Sequence, residues 1–197
     1  EDISYRFSLN PGGLLVRVKL LNYSKGAVEL LQYISESCNM YGGTCVIENT
    51  NENKTDIFIR KLKQIDVTLD QKQMERFELY YEMLIEKNKV MNLTAITEPE
   101  KVIDKHFVDS LAINKIVDLK NVKSVIDIGT GAGFPGIPLK IAFPWLEITL
   151  LDSLNKRLVF LREVCDAIDI EAETIHKRAE EAGKDTKLRE SFDVATA

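Results

Sequence analysis

Cysteine, histidine and long apolar runs are all scarce in this 197-residue chain, and each scarcity closes off a class of function. The three cysteines, Cys38, Cys45 and Cys165, form no Cys-x-x-Cys pair, and with only two histidines no zinc-ligand spacing arises. Free, reduced thiols and no metal are expected. No stretch approaches the ~20 consecutive apolar residues that cross a bilayer, and no signal-peptide pattern opens the chain. A cytoplasmic protein with no membrane partner is therefore expected. Positive charge is also short, since 26 Lys and Arg face 31 Asp and Glu for a formal net charge of -5. That excludes a generally basic nucleic-acid coat but leaves room for a local patch. What the chain does have is 45% apolar residues, enough for a sizeable core in one or two domains.

Glycine is sparse too, ten residues in all, yet four of them fall at 129–136, inside SVIDIGTGAGFPGIPLKIAFPWLEITLLD at 124–152. The apolar run at 125–128 is too short for a helix and is stopped by glycine, so it predicts a buried strand. Gly129, Gly131, Gly133 and Gly136 then allow a tight turn and a close approach of backbone to ligand. Pro138 suits the first turn of a helix that continues over 139–143 and stops at Pro144. A second strand, 147–151, ends in Asp152. Strand, glycine loop, helix, strand and acid make half of a nucleotide-binding site. Gly131-Ala-Gly133-Phe-Pro-Gly136 satisfies GxGxxG, and Asp152 lies near the ~20-residue distance of a ribose-binding acid, the pattern of a nicotinamide or flavin enzyme. Asp127, two residues before the first glycine, argues the other way. A carboxylate there repels a pyrophosphate and suits an ammonium group. S-adenosylmethionine carries an ammonium, a sulfonium and no phosphate, so the DxGxGxG reading favours it. A glycine-rich turn that binds nothing is the third possibility.

Residues 1–55 predict a unit of their own. Strands at 3–9 and 14–21 flank a turn at 10–13. A helix capped by Ser24 carries Ala27, Leu30, Leu31, Ile34 and Cys38 at helical spacing, Gly42 and Gly43 end it, a strand follows at 44–47, and 49–54 is a polar linker. This ββαβ segment holds no chemical constellation, and a fused or foreign origin is open. Residues 56–121 predict helices. Thr68-Leu-Asp-Gln71 fits a capping box for an amphipathic helix over 69–88, with Met74, Phe77, Tyr81 and Leu84 on one face, and Thr97-Glu-Pro-Glu100 fits a second box. The next helix turns Ile103, Phe107, Leu111 and Ile113 toward the core and sets His106, Asp109 and Ser110 within hydrogen-bonding reach of one another.

Beyond Asp152, the spacing of Leu154, Leu158, Leu161 and Cys165 predicts a helix whose first turn carries Lys156 and Arg157 against the macrodipole. A compensating anion is expected: Asp152, another carboxylate or RNA phosphate. A weak strand at 171–176 leads to a loop at 177–180. Ligands bind at the carboxyl ends of strands in open α/β sheets, so Asp127, Asp152 and Glu180 are expected to line one cleft. Residues 192–197 have strand character, and a parallel sheet ending there leaves its newest strand as an edge, so a fragment is expected.

Several of these stretches together resemble a known family. NLTAIT at 92–97, KHFVDSL at 105–111, VIDIGTGAGFPGIPLKIAFP at 125–144, LLDSLNKR at 150–157, RAE at 178–180 and FDVATA at 192–197 resemble the bacterial small-subunit ribosomal RNA guanine-N7 methyltransferases, the RsmG or GidB family, over 56–197. The resemblance implies an α/β fold of the class I S-adenosylmethionine methyltransferase type. Its Rossmann-like sheet, truncated, would occupy 122–197, with a helical part at 56–121 and the small ββαβ unit at 1–55 before it. It implies that Gly129 and Phe134 contact S-adenosylmethionine from the loop, that Ala179 and Glu180 hold its adenine side, and that Asp152 faces the ribose. Asp127 and Gly131 join the same site on the loop reading above. The implied reaction moves a methyl group to N7 of a guanine in 16S ribosomal RNA, free or in a small-subunit precursor. A monomer is expected.

Guanine N7 is an unprotonated acceptor, so it attacks a sulfonium methyl with no proton to remove. No catalytic side chain is therefore expected, only alignment and a site that tolerates charge passing to the base. Asn92, His106, Asp109 and Ser110 match family positions without an assigned role. Two basic clusters, Lys54, Arg60, Lys61 and Lys63 and then Lys156, Arg157, Arg162, Lys177 and Arg178, are either phosphate contacts with strong salt dependence or solvated faces. A nicotinamide-dependent oxidoreductase using 131–136 is the alternative function, and a non-catalytic fragment is another.

Overall fold

An antiparallel pair opens the chain. β1 (Asp2–Asn10) runs against β2 (Gly13–Leu21) from Asp2↔Leu21 to Asn10↔Gly13. β3 (Thr44–Asn49) joins β2 in parallel, with Thr44 beside Leu15. A parallel partner requires a long crossover, and the helical residues 33–38 (α1) lie within it. The strand pattern expected for 1–55 is thus observed. The structure, a computed structural model, describes residues 2–10, 13–21, 33–38, 44–49 and 54–197, so the expected turn tip at 11–12, the Ser24 cap and the Gly42-Gly43 stop lie outside the described residues. The chain divides into two compact units, Glu1–Thr55 and Asp56–Ala197.

α2 (Lys54–Gln64), which lies in the second unit from Asp56 on, buries Phe58 and Leu62. The long helix α3 (Gln71–Met91) begins two residues later than expected, because Asp70 rather than Thr68 is its cap. The Asp70 carboxylate accepts from Gln73 N at 2.8 Å, and the Gln73 side chain accepts from Asp70 N at 2.8 Å. Both sites have capping-box spacing, but a carboxylate also answers the positive end of the helix dipole, which a threonine does not. Asn92, in the left-handed region at φ 48°, ends the helix. The buried face is Phe77, Tyr80 and Leu84, with Met74 and Tyr81 only partly covered.

The following helix is not uniform. α4 (Pro99–Val102) passes into a π-helical stretch, Ile103–Val108, then α5 (Asp109–Leu111) and a 3-10 turn, Ala112–Lys115. The expected second capping box is absent: Glu98 occupies the cap position and makes no side-chain cap, so Pro99 alone sets the start. Ile103, Phe107 and Leu111 are buried as expected, and Ile113 is half-buried.

Four parallel strands follow: β4 (Ser124–Ile128), β5 (Glu147–Asp152), β6 (Glu173–His176) and β7 (Val194–Thr196). Their order is β6-β5-β4-β7. Numbered by appearance this is 3-2-1-4, the Rossmann-like order, with the reversal of direction beside β4. α6 (Gly136–Ala142) and α7 (Asn155–Ala167) supply the crossovers, and both pack with α3 and the sheet into one core. Rings carry that core up to the glycine loop: Phe58–Phe77 at 5.1 Å, Phe77–Phe107 at 4.9 Å and Tyr80–Phe134 at 5.6 Å between centroids. Each such pair contributes about 0.5–1.5 kcal/mol beyond burial. The expected loop at 177–180 instead starts a one-turn helix, α8 (Ala179–Ala182).

Candidate functional site

The loop after β4 is held from below by two buried acids. Asp127 Oδ2 accepts from Thr130 Oγ1 at 2.6 Å and from Gly136 N at 3.0 Å, while Oδ1 accepts from Thr196 Oγ1 at 3.3 Å. Burial pushes its pKa up from 3.8 to about 6, against the opposing pull of these hydrogen bonds and with a smaller push from Asp152. Asp152, at the end of β5, accepts from Gly131 N at 3.0 Å, from Leu154 N at 2.8 Å and from Arg157 Nη1 at 3.3 Å. Both acids are 1% exposed. The three acids expected to line one cleft, Asp127, Asp152 and Glu180, thus differ in their settings. The two aspartates are spent on the loop, the β7 end and the start of α7, and only Glu180, in the first turn of α8, is exposed. Asp152 is also the anion that answers Arg157 in the first turn of α7.

The four loop glycines do two different jobs. Gly129 and Gly131 have φ of +73° and +61°, and a Cβ on Gly129 would meet nothing within 4 Å. They are turn formers, and the space over Gly129 is open. Gly133 and Gly136 are packing glycines. A Cβ on Gly133 would lie 2.8 Å from Ile137, Leu161 and the Tyr80 hydroxyl, and one on Gly136 would lie 2.3 Å from Leu150 Cδ2. Tyr80 also donates to Ala132 O at 2.6 Å, tying α3 to the loop. Gln73 donates to Ile141 O at 2.8 Å and Ala142 O at 3.1 Å, satisfying carbonyls at the end of α6.

Phe134 forms a wall rather than a core plug. Its ring is half-buried and stacks on His106 at 4.4 Å and 11°. His106 Nε2 meets Thr94 Oγ1 at 2.8 Å, and burial holds this imidazole's pKa below 6.5, with Asp109 and a backbone hydrogen bond at Lys105 pulling the other way. The expected mutual bonding of His106, Asp109 and Ser110 is not observed. Ser110 Oγ donates to the His106 carbonyl, and the Asp109 carboxylate makes no hydrogen bond or ion pair among the described residues. Instead Asp109, Ser110 and Ile113 join Phe134, Pro135 and Thr196 around a cavity of about 330 Å³ at the carboxyl ends of β4 and β7. Ala179 borders a second cavity of about 330 Å³ with Ile126, Ile128 and Ala182.

Thr130, Tyr80, Gln73 and Thr196 were not foreseen as parts of this site. Only the hydroxyl of Thr130, three residues after Asp127, carried a local signal. Of the basic clusters, Lys61 pairs with Asp104, Arg157 with Asp152 and Lys177 with Asp185. Lys63, Lys156 and Arg178 are exposed. All three cysteines are free, and burial pushes the Cys165 thiol up to about 11. Among the described residues, no three His, Cys, Asp or Glu side chains gather as for a metal, and no helix is long and apolar enough to cross a membrane.

Comparison with known proteins falls on the same part of the chain. The family model described as rRNA small subunit methyltransferase G (GidB) matches residues 73–197. The ribosomal RNA small subunit methyltransferase G of Lachnoclostridium phytofermentans is 50% identical over 141 residues, 71% of this chain and 58% of that protein. Its counterpart in Leuconostoc mesenteroides is 51% identical over 151 residues, 75% of this chain and 62% of that protein. The chain thus spans about three fifths of the length of the curated relatives it matches. A crystal structure of the SAH-bound Podospora anserina methyltransferase PaMTH1 aligns with 90% of this chain and 60% of that one, at 12% identity and a TM-score of 0.46, too low a likeness to support a conclusion by itself. With its glycine loop and sheet inside the matched segment and half its residues there shared with these relatives, the chain belongs to the rRNA small subunit methyltransferase G family.

Proposed function

We propose that the chain is the cofactor-binding part of a methyltransferase that uses S-adenosylmethionine to methylate N7 of a guanine in 16S ribosomal RNA. The observation that carries the cofactor is the fate of Gly136 N. In a dinucleotide enzyme the amides at this helix start face a pyrophosphate. Here Gly136 N donates to the buried Asp127 carboxylate, so a phosphate would meet a filled position and a negative charge. The open space over Gly129 fits a ligand resting on bare backbone. This supports S-adenosylmethionine over a nicotinamide cofactor.

Gly129, Gly131 and Phe134 would form the floor and one wall of the cofactor site, with Ala179 and Glu180 toward the adenine. Asp127 and Asp152 act from beneath, holding the loop in shape. When bound, S-adenosylmethionine supplies a sulfonium methyl that passes to the N7 lone pair, the C–S electron pair staying on sulfur and the positive charge moving to the base. The residues' part is alignment and exclusion of water by Phe134, Pro135 and Ile113. The helical residues 56–121 belong to the same working unit. The substrate is ribosomal RNA or a small-subunit precursor, met by a monomer in the cytoplasm where bacterial ribosomes are made.

Calorimetric titration of the chain with S-adenosylmethionine and with NADH tests the reading, with Gly129→Val as control. Binding of S-adenosylmethionine alone, reduced at least tenfold by the substitution, is expected. Binding of NADH alone overturns it.

A further inference from the structure

The cavity beside Phe134 has a polarity that selects its occupant. Three polar side chains border it, and each turns lone pairs rather than protons inward. Ser110 Oγ gives its proton to the His106 carbonyl. Thr196 Oγ1 directs its proton to Asp127 Oδ1 and Ile126 O. Asp109 is an acceptor only when ionised. The other two acids of the site are saturated by the chain, whereas Asp109 is exposed and, among the described residues, is engaged by no donor. Phe134, Pro135 and Ile113 give it a flat apolar wall, and Ala197 completes the lining. The volume, about 330 Å³, lies at the lower end of small-ligand pockets.

A flat ring with an edge of adjacent donors satisfies such a lining. Of the four RNA bases only guanine has two neighbouring donors on its pairing edge, N1–H and the N2 amino group. Adenine and cytosine set a ring acceptor beside their amino group, and uracil flanks one N–H with two carbonyls. Each of these would bring a lone pair against Asp109. Flipped-out bases are commonly read on this edge and stacked on apolar walls. Guanine held at N1 and N2 also turns N7, on the far edge, away from Asp109.

Resting on the methyl-transfer reading above, the geometry points to Asp109 as the residue that specifies guanine, its carboxylate accepting from N1–H and N2–H in the cavity walled by Phe134, Pro135 and Ile113. The π-helical stretch Ile103–Val108 immediately precedes Asp109, and such turns recur at functional sites.

The test is nuclear magnetic resonance titration of the chain with guanosine, inosine and adenosine 5′-monophosphates, with and without S-adenosylhomocysteine, for the unaltered chain and for Asp109→Asn. Inosine lacks only the N2 amino group. The unaltered chain is expected to prefer the guanosine nucleotide over the inosine one by about tenfold, the value of one hydrogen bond to a charged group. Asp109→Asn, whose amide oxygen keeps only a neutral hydrogen bond, should weaken that preference several-fold while S-adenosylhomocysteine binds both chains equally. Absence of the preference in the unaltered chain, or its undiminished survival in the variant, overturns the assignment. Failure of both chains to bind S-adenosylhomocysteine would instead count against the cofactor reading, and the nucleotide preference measured without it still decides the role of Asp109.

Discussion

Asp127→Asn separates a bracing role from a ligand-facing one. The carboxylate is 1% exposed and its pKa is raised from 3.8 to about 6, first by burial. A raised acid binds more protons in the folded than in the unfolded chain between those two values. Stability from this group is therefore fully present below 3.8 and is lost as pH rises through about 6. At about 1.4 kcal/mol per pH unit, the loss approaches about 3 kcal/mol at pH 7.5. Asparagine reproduces the protonated acid, because its oxygen can accept from Thr130 and Gly136 while its amide donates to Thr196. Urea unfolding of both chains from pH 4 to pH 8 should show a difference below about 1 kcal/mol at pH 4 and a variant more stable by up to about 3 kcal/mol at pH 7.5. Taking the difference removes the opposing contributions of Asp104, Asp169, Asp185 and Asp193, whose pKa values are lowered. A difference that does not change with pH, or a variant less stable at pH 7.5, would refute the reasoning.

Two further substitutions test the frame of the loop. Gly136→Ala places a methyl 2.3 Å from Leu150 Cδ2 and 3.0 Å from Asp127 Oδ2. It should cost at least about 1–3 kcal/mol by denaturant unfolding. Tyr80→Phe strips the donor from the buried Ala132 carbonyl, and a loss of about 1–3 kcal/mol with little change in the core is expected by the same assay.

Much of the sheet half was legible because its signals are local. The apolar run before Gly129, the glycines and Asp152 each act within a few residues, and strand, loop, helix and strand stand where those signals put them. What was not legible depends on distant partners. Asp127 read as a ligand-facing acid because nothing nearby in the sequence shows that Gly136 and Thr196 will converge on it, whereas the pairing of Asp152 with Arg157, five residues on, was among the anions expected. Tyr80 and Tyr81 are adjacent, and helical spacing alone chose the wrong one for the core. The cap moved from Thr68 to Asp70 because two boxes overlap at a two-residue offset.

The π-helical stretch acts as a phase setting. An α-helix turns by about 100° per residue, so a chain segment that gains or loses one residue rotates everything beyond it by that amount. Val102 is anchored in the core before the stretch, Ile103 and Phe107 within it, and Ser110 and Leu111 beyond it. Lys105, exposed between them, contributes length even where its side chain contributes no packing. Removing it would leave the composition of every wall intact yet change the register between Val102 and Leu111, with Asp109 between them. In this helix the number of residues is as much a constraint as their identity.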